Sequence, residues 1–258
     1  MTAPVQLEGG RRRSHSALRA VSTVLIVAGV LLLVDAGVTL AWQEPLSAIY
    51  AAVRQNQLDS DLRKLEQRKL ARVQLRALAR LQTERRQLTF LARAERGGAQ
   101  AGDALGRIRI PKIGADFVMV QGTQPGDLRE GPGHYTSTPL PGEPGTVAVA
   151  GHRTTYLAPF RDIDQLGNRD QVVLQMPYAD FTYQVERNRI VPPGATWVTR
   201  RIAYDRLVLT ACHPLYSASE RIVVFARLVR TVPRGAAREL STSRGESKLQ
   251  QERSKSEH

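Results

Sequence analysis

Residues 105–120 read LGRIRIPKIGADFVMV, and they open a region in which short apolar runs alternate with Gly and Pro. Proline is poorly tolerated inside strands and marks the turns between them. Short strands at this spacing, with no helix-length periodic segment between them, favour an all-β barrel or sandwich over an α/β parallel sheet. The predicted strands are residues 108–110, 117–120, 147–150, 172–176, 181–191, 207–210 and 221–228.

The segment before this region has the composition of a helix. Residues 46–96 contain neither Gly nor Pro and are rich in Leu, Ala, Arg, Gln and Glu, which are good helix formers. Leu58, Leu62 and Leu65 share one helical face, but the apolar positions drift through the heptad, so a regular coiled coil is not supported. We predict an amphipathic helix, continuous or broken, that acts as a stalk between a bilayer and the next domain. A dimerising arm is the alternative.

Residues 20–42 read AVSTVLIVAGVLLLVDAGVTLAW and carry one charge, Asp35. At about 1.5 Å per residue, this segment is long enough to span a hydrocarbon core of about 30 Å. A cleavable signal peptide is the alternative, but its apolar core is normally about 7–15 residues long. Four arginines precede the segment, so the positive-inside rule predicts a cytoplasmic N-terminus and places everything from Glu44 onward on the other side.

The net charge of +13, from 37 basic and 24 acidic residues, is unevenly distributed. Residues 43–102 carry twelve basic and six acidic side chains, whereas residues 103–231 carry fifteen and twelve. A nucleic-acid-binding protein is expected to have its basic excess on the folded module, so this distribution indicates a membrane and not a nucleic acid. The single cysteine, Cys212, excludes an internal disulfide and a zinc site built from cysteines.

After the common catalytic motifs are excluded, a cysteine nucleophile with a histidine partner remains as the candidate catalytic site. The sequence has no Gly-rich phosphate loop, no zinc-protease or calcium-loop pattern and no G-x-S-x-G. Cys212 ends the apolar run 207–212, LVLTAC. A thiolate is a good nucleophile, and a histidine is the usual proton carrier beside it. His134, His152 and His213 are the candidates, and sequence position alone does not choose among them.

Three groupings of residues match a known family. Residues 131–163 read GPGHYTSTPLPGEPGTVAVAGHRTTYLAPFRDI, residues 207–214 read LVLTACHP, and residues 217–228 read SASERIVVFARL. In this order, behind an N-terminal anchor, they resemble the sortases, the cysteine transpeptidases of Gram-positive surfaces, and especially the class E type of actinobacteria. The resemblance covers about residues 104–230. It implies a closed, all-β barrel of about eight strands.

The resemblance also assigns the catalytic roles. It places the family's cysteine at Cys212, its histidine at His152 and its arginine at Arg221. These residues imply a thiolate nucleophile, a general acid and base, and a donor to the oxyanion of the tetrahedral intermediate. No metal and no cofactor is implied.

Three further residues are implied on the substrate side. Where the family usually has Thr directly before the cysteine, this chain has Ala211, with Thr210 one residue earlier. Ala211 and Thr210 are therefore candidate contacts near the reacting carbonyl. Tyr135 lies in the loop before the His152 strand, and the resemblance to class E enzymes implies a part for it in selecting LAxTG over LPxTG signals.

The implied reaction cleaves a C-terminal LPxTG- or LAxTG-like sorting signal between Thr and Gly and transfers a secreted protein to an amine of a lipid-linked peptidoglycan precursor. A pilin-polymerising enzyme that uses a pilin lysine and a non-catalytic, membrane-anchored scaffold are the alternatives. The expected location is the cell membrane, crossed once, with the catalytic domain outside. The expected segments are a basic N-terminus (1–19), a membrane helix (20–42), a stalk and linker (43–103), a catalytic domain (104–231) and a disordered tail (232–258).

Overall fold

The computed structural model describes residues 10–41 and 45–239. Its helices are α1 (Gly10–Ala41), α2 (Pro45–Gln67), α3 (Arg72–Ala79), α4 (Glu84–Gly98) and α5 (Pro125–Glu130). Its strands are β1 (Ala104–Ile110), β2 (Ala115–Gln121), β3 (Gly133–His134), β4 (Thr146–Ala150), β5 (Gln171–Met176), β6 (Ala179–Val191), β7 (Arg206–His213) and β8 (Glu220–Pro233).

The chain divides into two compact units, with the boundary between Pro45 and Leu46. Helix α1 belongs to the first unit. It contains one candidate membrane span, Leu18–Gly37, with 20 residues and a mean hydropathy of 2.2. The apolar helix expected from the sequence is therefore confirmed. Trp42, the last residue of the expected span, lies outside the described residues, as do residues 1–9 of the expected basic N-terminus.

The second unit is built on a closed barrel with the strand order β1-β2-β3-β4-β7-β8-β6-β5, and the pairing of β1 with β5 closes it. The expected all-β barrel of about eight strands is confirmed. Seven strands lie where the sequence predicts them, and the eighth, β3, has only two residues. Two pairs are parallel, β2 with β3 and β4 with β7, and the others are antiparallel.

Alternation along β7 and β8 separates an inner from an outer face. Leu207, Leu209 and Ala211 belong to the main core cluster inside the barrel. Val208 belongs to a second cluster on the outer face, which is covered by the 3₁₀ helix Thr196–Thr199. The residues of β7 therefore point alternately into the barrel and toward this outer layer.

Helices α2, α3 and α4 pack on the barrel, which differs from the expected stalk. Leu58 and Leu62 are buried against Val118 and Val120 of β2. The side-chain amide of Gln55 donates to the Val118 carbonyl at 3.0 Å and accepts from the Val118 N–H at 2.8 Å. Because β3 pairs with β2 only at Val120 and Gln121, this amide satisfies a part of the β2 edge that β3 leaves open.

The next two helices contribute directly to the main core. Leu78 of α3 and Leu88, Leu91 and Ala92 of α4 are buried in the same cluster as the barrel interior. The helical conformation expected from the sequence is thus confirmed, but the helices are part of the folded domain. A helix that only spaced two bodies apart would not bury its leucines in one of them.

The folded unit also extends beyond residue 231, where we expected the tail to begin. Strand β8 continues to Pro233, and Ala237 is fully buried in the main core. Arg234 forms ion pairs with Glu66 of α2 and Asp180 of β6 at 3.3 and 3.4 Å. Residues 232–239 are therefore folded, and the remainder of the expected tail, residues 240–258, lies outside the described residues.

Candidate active site

Two adjacent parallel strands carry the candidate cysteine and histidine to the same end of the barrel. Strand β4 pairs with β7 from Thr146–Arg206 to Ala150–Thr210. The ladder continues for one more hydrogen bond, from the Gly151 N–H to the Thr210 carbonyl at 3.0 Å. His152 follows β4, and Cys212 lies near the end of β7. Because parallel strands end at the same edge, the chain brings together two residues that are sixty positions apart.

Gly151 allows the chain to turn off the strand at this point. A Cβ atom on residue 151 would lie 2.6 Å from the ring of Phe160, which is fully buried. The Phe160 N–H donates to the His152 carbonyl at 3.0 Å. The A-G-H motif is therefore explained by packing, since only glycine lets the backbone approach the phenylalanine that fixes the His152 loop.

Arg221 is directly opposite Cys212 in the antiparallel β7–β8 ladder. Its Nη1 donates to the carbonyls of Ala218 and Glu220 at 2.9 and 2.8 Å. Within the described ranges, its Nε and Nη2 groups have no protein partner, and no carboxylate pairs with it. The guanidinium is thus anchored by one nitrogen and keeps the other N–H donors for an additional acceptor.

A groove of about 210 Å³ begins beside Arg221 and follows the outer face of the sheet. Its floor includes Thr210 and Val223, which are opposite each other in the ladder, two positions before the pair of Cys212 and Arg221. Its lining is mostly apolar or hydroxylated, and Arg221 is the one charged residue in it. The lining residues are Tyr135, Ser137, Val191, Pro192, Pro193, Ala195, Thr196, Val198, Thr199, Thr210, Arg221 and Val223.

The three residues predicted on the substrate side fall into two different environments. The Tyr135 hydroxyl and the Thr210 Oγ1 form a hydrogen bond of 2.9 Å, and both residues line the groove. Ala211 points the other way, into the main core. Thr210 and Cys212 share the outer face because they are two positions apart on a strand. The structure therefore joins Tyr135 and Thr210 at the groove and places the Ala211 side chain away from it.

His134 has a structural environment. It is 1% exposed, and its ring nitrogens contact the Gln121 Oε1 at 2.8 Å and the Pro139 carbonyl at 3.1 Å. Burial lowers its pKa to about 4, so this histidine is neutral at physiological pH. Of the three candidate histidines, His134 is thus separated from solvent and engaged in hydrogen bonds.

His152 is half-buried, and its pKa is also lowered, first by burial and then by the positive charge of Arg129. Among the described residues, no hydrogen-bond partner reaches its buried Nε2. A neutral imidazole with an unsatisfied nitrogen is suited to exchange a proton with a bound group. Within the described ranges, no three His, Cys, Asp or Glu side chains come together as metal ligands.

Sequence reasoning did not assign Arg153, which follows His152. Arg153 is 3% exposed, forms an ion pair with Asp164 at 2.8 Å and donates to the Arg161 carbonyl at 3.0 Å. Its Nη1 also lies 3.4 Å from the Nδ1 of His213. It therefore connects the His152 loop to the end of β7. Its place beside the histidine in the A-G-H-R motif was a signal, but its contact with His213 joins residues that are distant in sequence.

The barrel region is similar to known proteins. A family model described as the Sortase domain matches residues 108–229. Sortase D of Bacillus subtilis (strain 168) is 34% identical over 134 residues, covering 50% of this chain and 66% of the relative. Sortase SrtE2 of Streptomyces coelicolor is 26% identical over 153 residues, covering 52% and 60%. The chain thus spans just under two thirds of the length of these curated relatives.

Solved structures show the same fold. The structure of the SrtF sortase from Corynebacterium diphtheriae matches with a TM-score of 0.50 and 29% identity, over 53% of this chain and 90% of that one. The barrel region, residues 108–229, therefore matches the sortase family, whose members are cysteine transpeptidases. The relatives include both a sortase D and a sortase E, so they support the sortase family but do not assign this chain to class E.

Proposed function

We propose that this protein is a membrane-anchored sortase. It cleaves an LPxTG- or LAxTG-like sorting signal between Thr and Gly and transfers the protein to the amine of a lipid-linked peptidoglycan precursor. The observation that carries the proposal is the convergence of Cys212, His152 and Arg221 at one end of the barrel. Two parallel strands supply the first two residues, and the antiparallel partner of β7 supplies the third.

The first half-reaction forms a thioester. The Cys212 thiol gives its proton to the neutral His152, and the thiolate attacks the carbonyl carbon of the signal's Thr. The Nε and Nη2 groups of Arg221 donate to the oxyanion that develops. The imidazolium of His152 then protonates the departing Gly amine as the peptide C–N bond breaks.

The second half-reaction reverses the proton path. The incoming amine attacks the thioester carbonyl, and His152 accepts a proton from it. The new amide bond forms as the thiolate of Cys212 leaves, and the proton on His152 restores the thiol. The lowered pKa of His152 favours the neutral form needed at this stage. No metal is required, because Arg221 carries a permanent positive charge.

The groove beside Arg221 is suited to the acyl side of the signal. A peptide whose Thr carbonyl lies at Cys212 extends over the groove floor, where Tyr135 and Thr210 present their hydroxyls among prolines and valines. We expect Tyr135→Ala to change the ratio of kcat/KM for LAxTG and LPxTG peptides. Tyr135→Phe is the matched control that keeps the ring. Equal losses on both peptides would assign Tyr135 to packing.

The catalytic assignment is tested by substitutions with two histidine controls. Cys212→Ala is expected to abolish turnover, and His152→Ala to reduce it nearly as much. Arg221→Lys keeps the charge but loses the planar fork, and losing one oxyanion donor typically lowers kcat about 10²- to 10³-fold. His134→Asn and His213→Ala, folded, should keep most activity. Turnover that survives in His152→Ala but not in His134→Asn would refute the assignment.

The membrane arrangement follows from α1 and the four arginines before residue 20. We propose a cytoplasmic N-terminus and an extracellular catalytic domain, so that enzyme, secreted substrate and lipid-linked acceptor meet at one membrane face. Protease added to intact protoplasts should degrade the domain beyond residue 46. Protection of the domain until the cells are lysed would reverse the orientation.

Product analysis with different amines tests the acceptor. Incubation with a sorting-signal peptide, peptidoglycan-stem amines and a pilin-derived lysine peptide, followed by mass spectrometry, distinguishes wall attachment from pilin polymerisation. We expect the peptidoglycan amine to be the preferred nucleophile. Exclusive transfer to the lysine peptide would favour the polymerising enzyme, and binding without any cleavage would favour a scaffold.

A further inference from the structure

The loop that follows His152 folds back so that an aromatic ring covers the histidine. The ring centroid of Tyr156 lies 5.2 Å from that of His152, with 38° between the ring planes. The guanidinium carbon of Arg129, on α5, lies 5.9 Å from the centroid of the Tyr156 ring, and the charge of Arg129 also acts on His152. Tyr156 is half-buried and lies within the family-like segment 131–163, but neither the resemblance nor the proposed reaction assigns it a role.

The backbone of this loop has an unusual conformation. Tyr156, Leu157 and Ala158 have φ values of 52°, 62° and 41°, which place three consecutive non-glycine residues in the left-handed region. Such residues persist only where surrounding contacts hold them, because each costs of order 1 kcal/mol or more. The position of the Tyr156 ring is therefore maintained by its partners and not by local preference.

Those partners come from the first turns of α2. The Tyr156 N–H donates to the Ser47 Oγ at 3.3 Å, and Ser47 is 8% exposed. Tyr50 meets Tyr156 edge to face, with ring centroids 6.3 Å apart. Ala51, the next residue, is 1% exposed, so this end of the helix is packed against the domain. Ser47 and Tyr50 lie more than a hundred positions before the loop they contact.

We propose that Tyr156 is a positioning residue for His152 and that Ser47 and Tyr50 of α2 hold Tyr156 in place. The proposal rests on the proposed role of His152 as general acid and base. It assigns to α2 a function beyond linking the membrane span to the barrel. The helix completes the active site by fixing the histidine that faces the reacting bond.

The electrostatic setting of His152 supplies an observable besides activity, namely the pKa of its imidazole. The groups that face it are Arg129 from α5 and Tyr156 from its own loop, with Tyr50 behind Tyr156, and Cys212 lies at the end of the neighbouring strand β7. Burial is the main cause of its lowered pKa, and the Arg129 charge is the second. Removing the ring that buries the imidazole should therefore raise the pKa toward the ordinary value of about 6.5.

The experiment measures His152 directly and in turnover, using the full chain in detergent. Histidine is labelled with ¹³C at Cε1, and His152→Gln identifies its signal. The aromatic variants are Tyr156→Ala, Tyr50→Ala and their matched controls Tyr156→Phe and Tyr50→Phe. Leu46→Ala, at a position 81% exposed in the first turn of α2, is the surface control. Each variant is titrated by NMR and assayed for kcat, KM and the pH dependence of kcat/KM.

We expect Tyr156→Ala to raise the His152 pKa, to move the acid limb of the pH profile to higher pH and to lower kcat about 10-fold, with a smaller change in KM. Tyr50→Ala should act in the same direction but less strongly. Both Phe variants and Leu46→Ala should behave like the parent. Should Tyr156→Ala fail to fold, Tyr50→Ala and the smaller change Ser47→Ala carry the same test.

An unchanged His152 titration together with an unchanged kcat in Tyr156→Ala would overturn the proposal. A loss that affects KM alone would also overturn it, because it would place Tyr156 in substrate binding. Failure of the proposed function has a different signature, namely turnover that survives in folded His152→Ala. The NMR titration needs no substrate, so it decides the contact between Tyr156 and His152 in either case.

Discussion

Truncating Leu78 in α3 tests whether the helices before the barrel belong to the same cooperative unit. Leu78 is fully buried in the main core, together with barrel residues such as Leu105 and Phe181. Replacing a buried leucine by alanine typically costs about 2–5 kcal/mol, from lost transfer free energy and the cavity that remains. For a domain of this size, about 1 kcal/mol corresponds to roughly 2–4 °C in Tm, so Leu78→Ala should lower Tm by roughly 4–20 °C.

The assay uses a fluorescent reporter on the barrel and not in the helix that carries the substitution. Trp197 stacks on Phe225 over the outer face of the barrel, and Trp42 is the only other tryptophan. In a Trp42→Phe background, Trp197 fluorescence therefore follows unfolding of the barrel. Val73→Ala is the matched control, because Val73 is in the same helix and is 76% exposed. It should shift the transition by only a few tenths of a kcal/mol.

The reasoning would be refuted if Leu78→Ala left the Trp197 transition at the parent temperature while far-ultraviolet circular dichroism showed α3 melting earlier. That result would mean that the helices form a separate, weakly attached arm, as a stalk would. Coincident shifts in fluorescence and circular dichroism would establish one cooperative unit.

Three further predictions concern the groups around the site. His134 has a folded-state pKa of about 4, below the unfolded value of about 6.5, so the unfolded state takes up the proton first as pH falls. About 3 kcal/mol of the free energy of unfolding should therefore be lost between about pH 6.5 and about pH 4. Urea titrations of His134→Asn should show a weaker pH dependence of stability than the parent. Glu143 is buried and accepts from Arg96 at 2.8 and 3.0 Å, so Arg96→Ala should destabilise the domain by about 1–3 kcal/mol in the same titrations, and an unchanged midpoint would contradict this. Thr210→Val should raise KM for the signal peptide without unfolding the protein, because it removes the hydroxyl that bonds Tyr135; an unchanged KM would show that the bond does not organise the groove.

The barrel was predictable because its signals are local. Short apolar runs with Gly or Pro between them were sufficient for seven strands. Strand β3 escaped prediction because Gly133 and His134 form no apolar run, and their strand geometry depends on pairing with Gln121 and Val149 on either side.

The helices before the barrel show where local signals end. Residues 46–96 form helices as their composition predicts, but an amphipathic face does not reveal what it packs against. The drift of leucines through the heptad is explained by three separate helices that pack against two different parts of the barrel domain. Leu58 faces β2, whereas Leu78 and Leu91 reach the main core.

The candidate site divides in the same way. Family motifs predicted Cys212, His152 and Arg221 as the catalytic residues, and the structure places all three near strand ends at one end of the barrel. Ala211 and Thr210 were both predicted as substrate contacts, but the period of two along β7 places Thr210, and not Ala211, on the face of the cysteine. Tyr156 was not found, since its significance arises from contacts with α2, more than a hundred positions away.

The most direct test of the central claim is the intact mass of the enzyme after brief incubation with a sorting-signal peptide. The account predicts an adduct on Cys212, the only cysteine in the chain, that equals the peptide up to its Thr, and hydroxylamine should release it as the hydroxamate. Folded Cys212→Ala should show neither adduct nor cleavage. Cleavage of the peptide by that variant would contradict the assignment of this protein's chemistry to its cysteine.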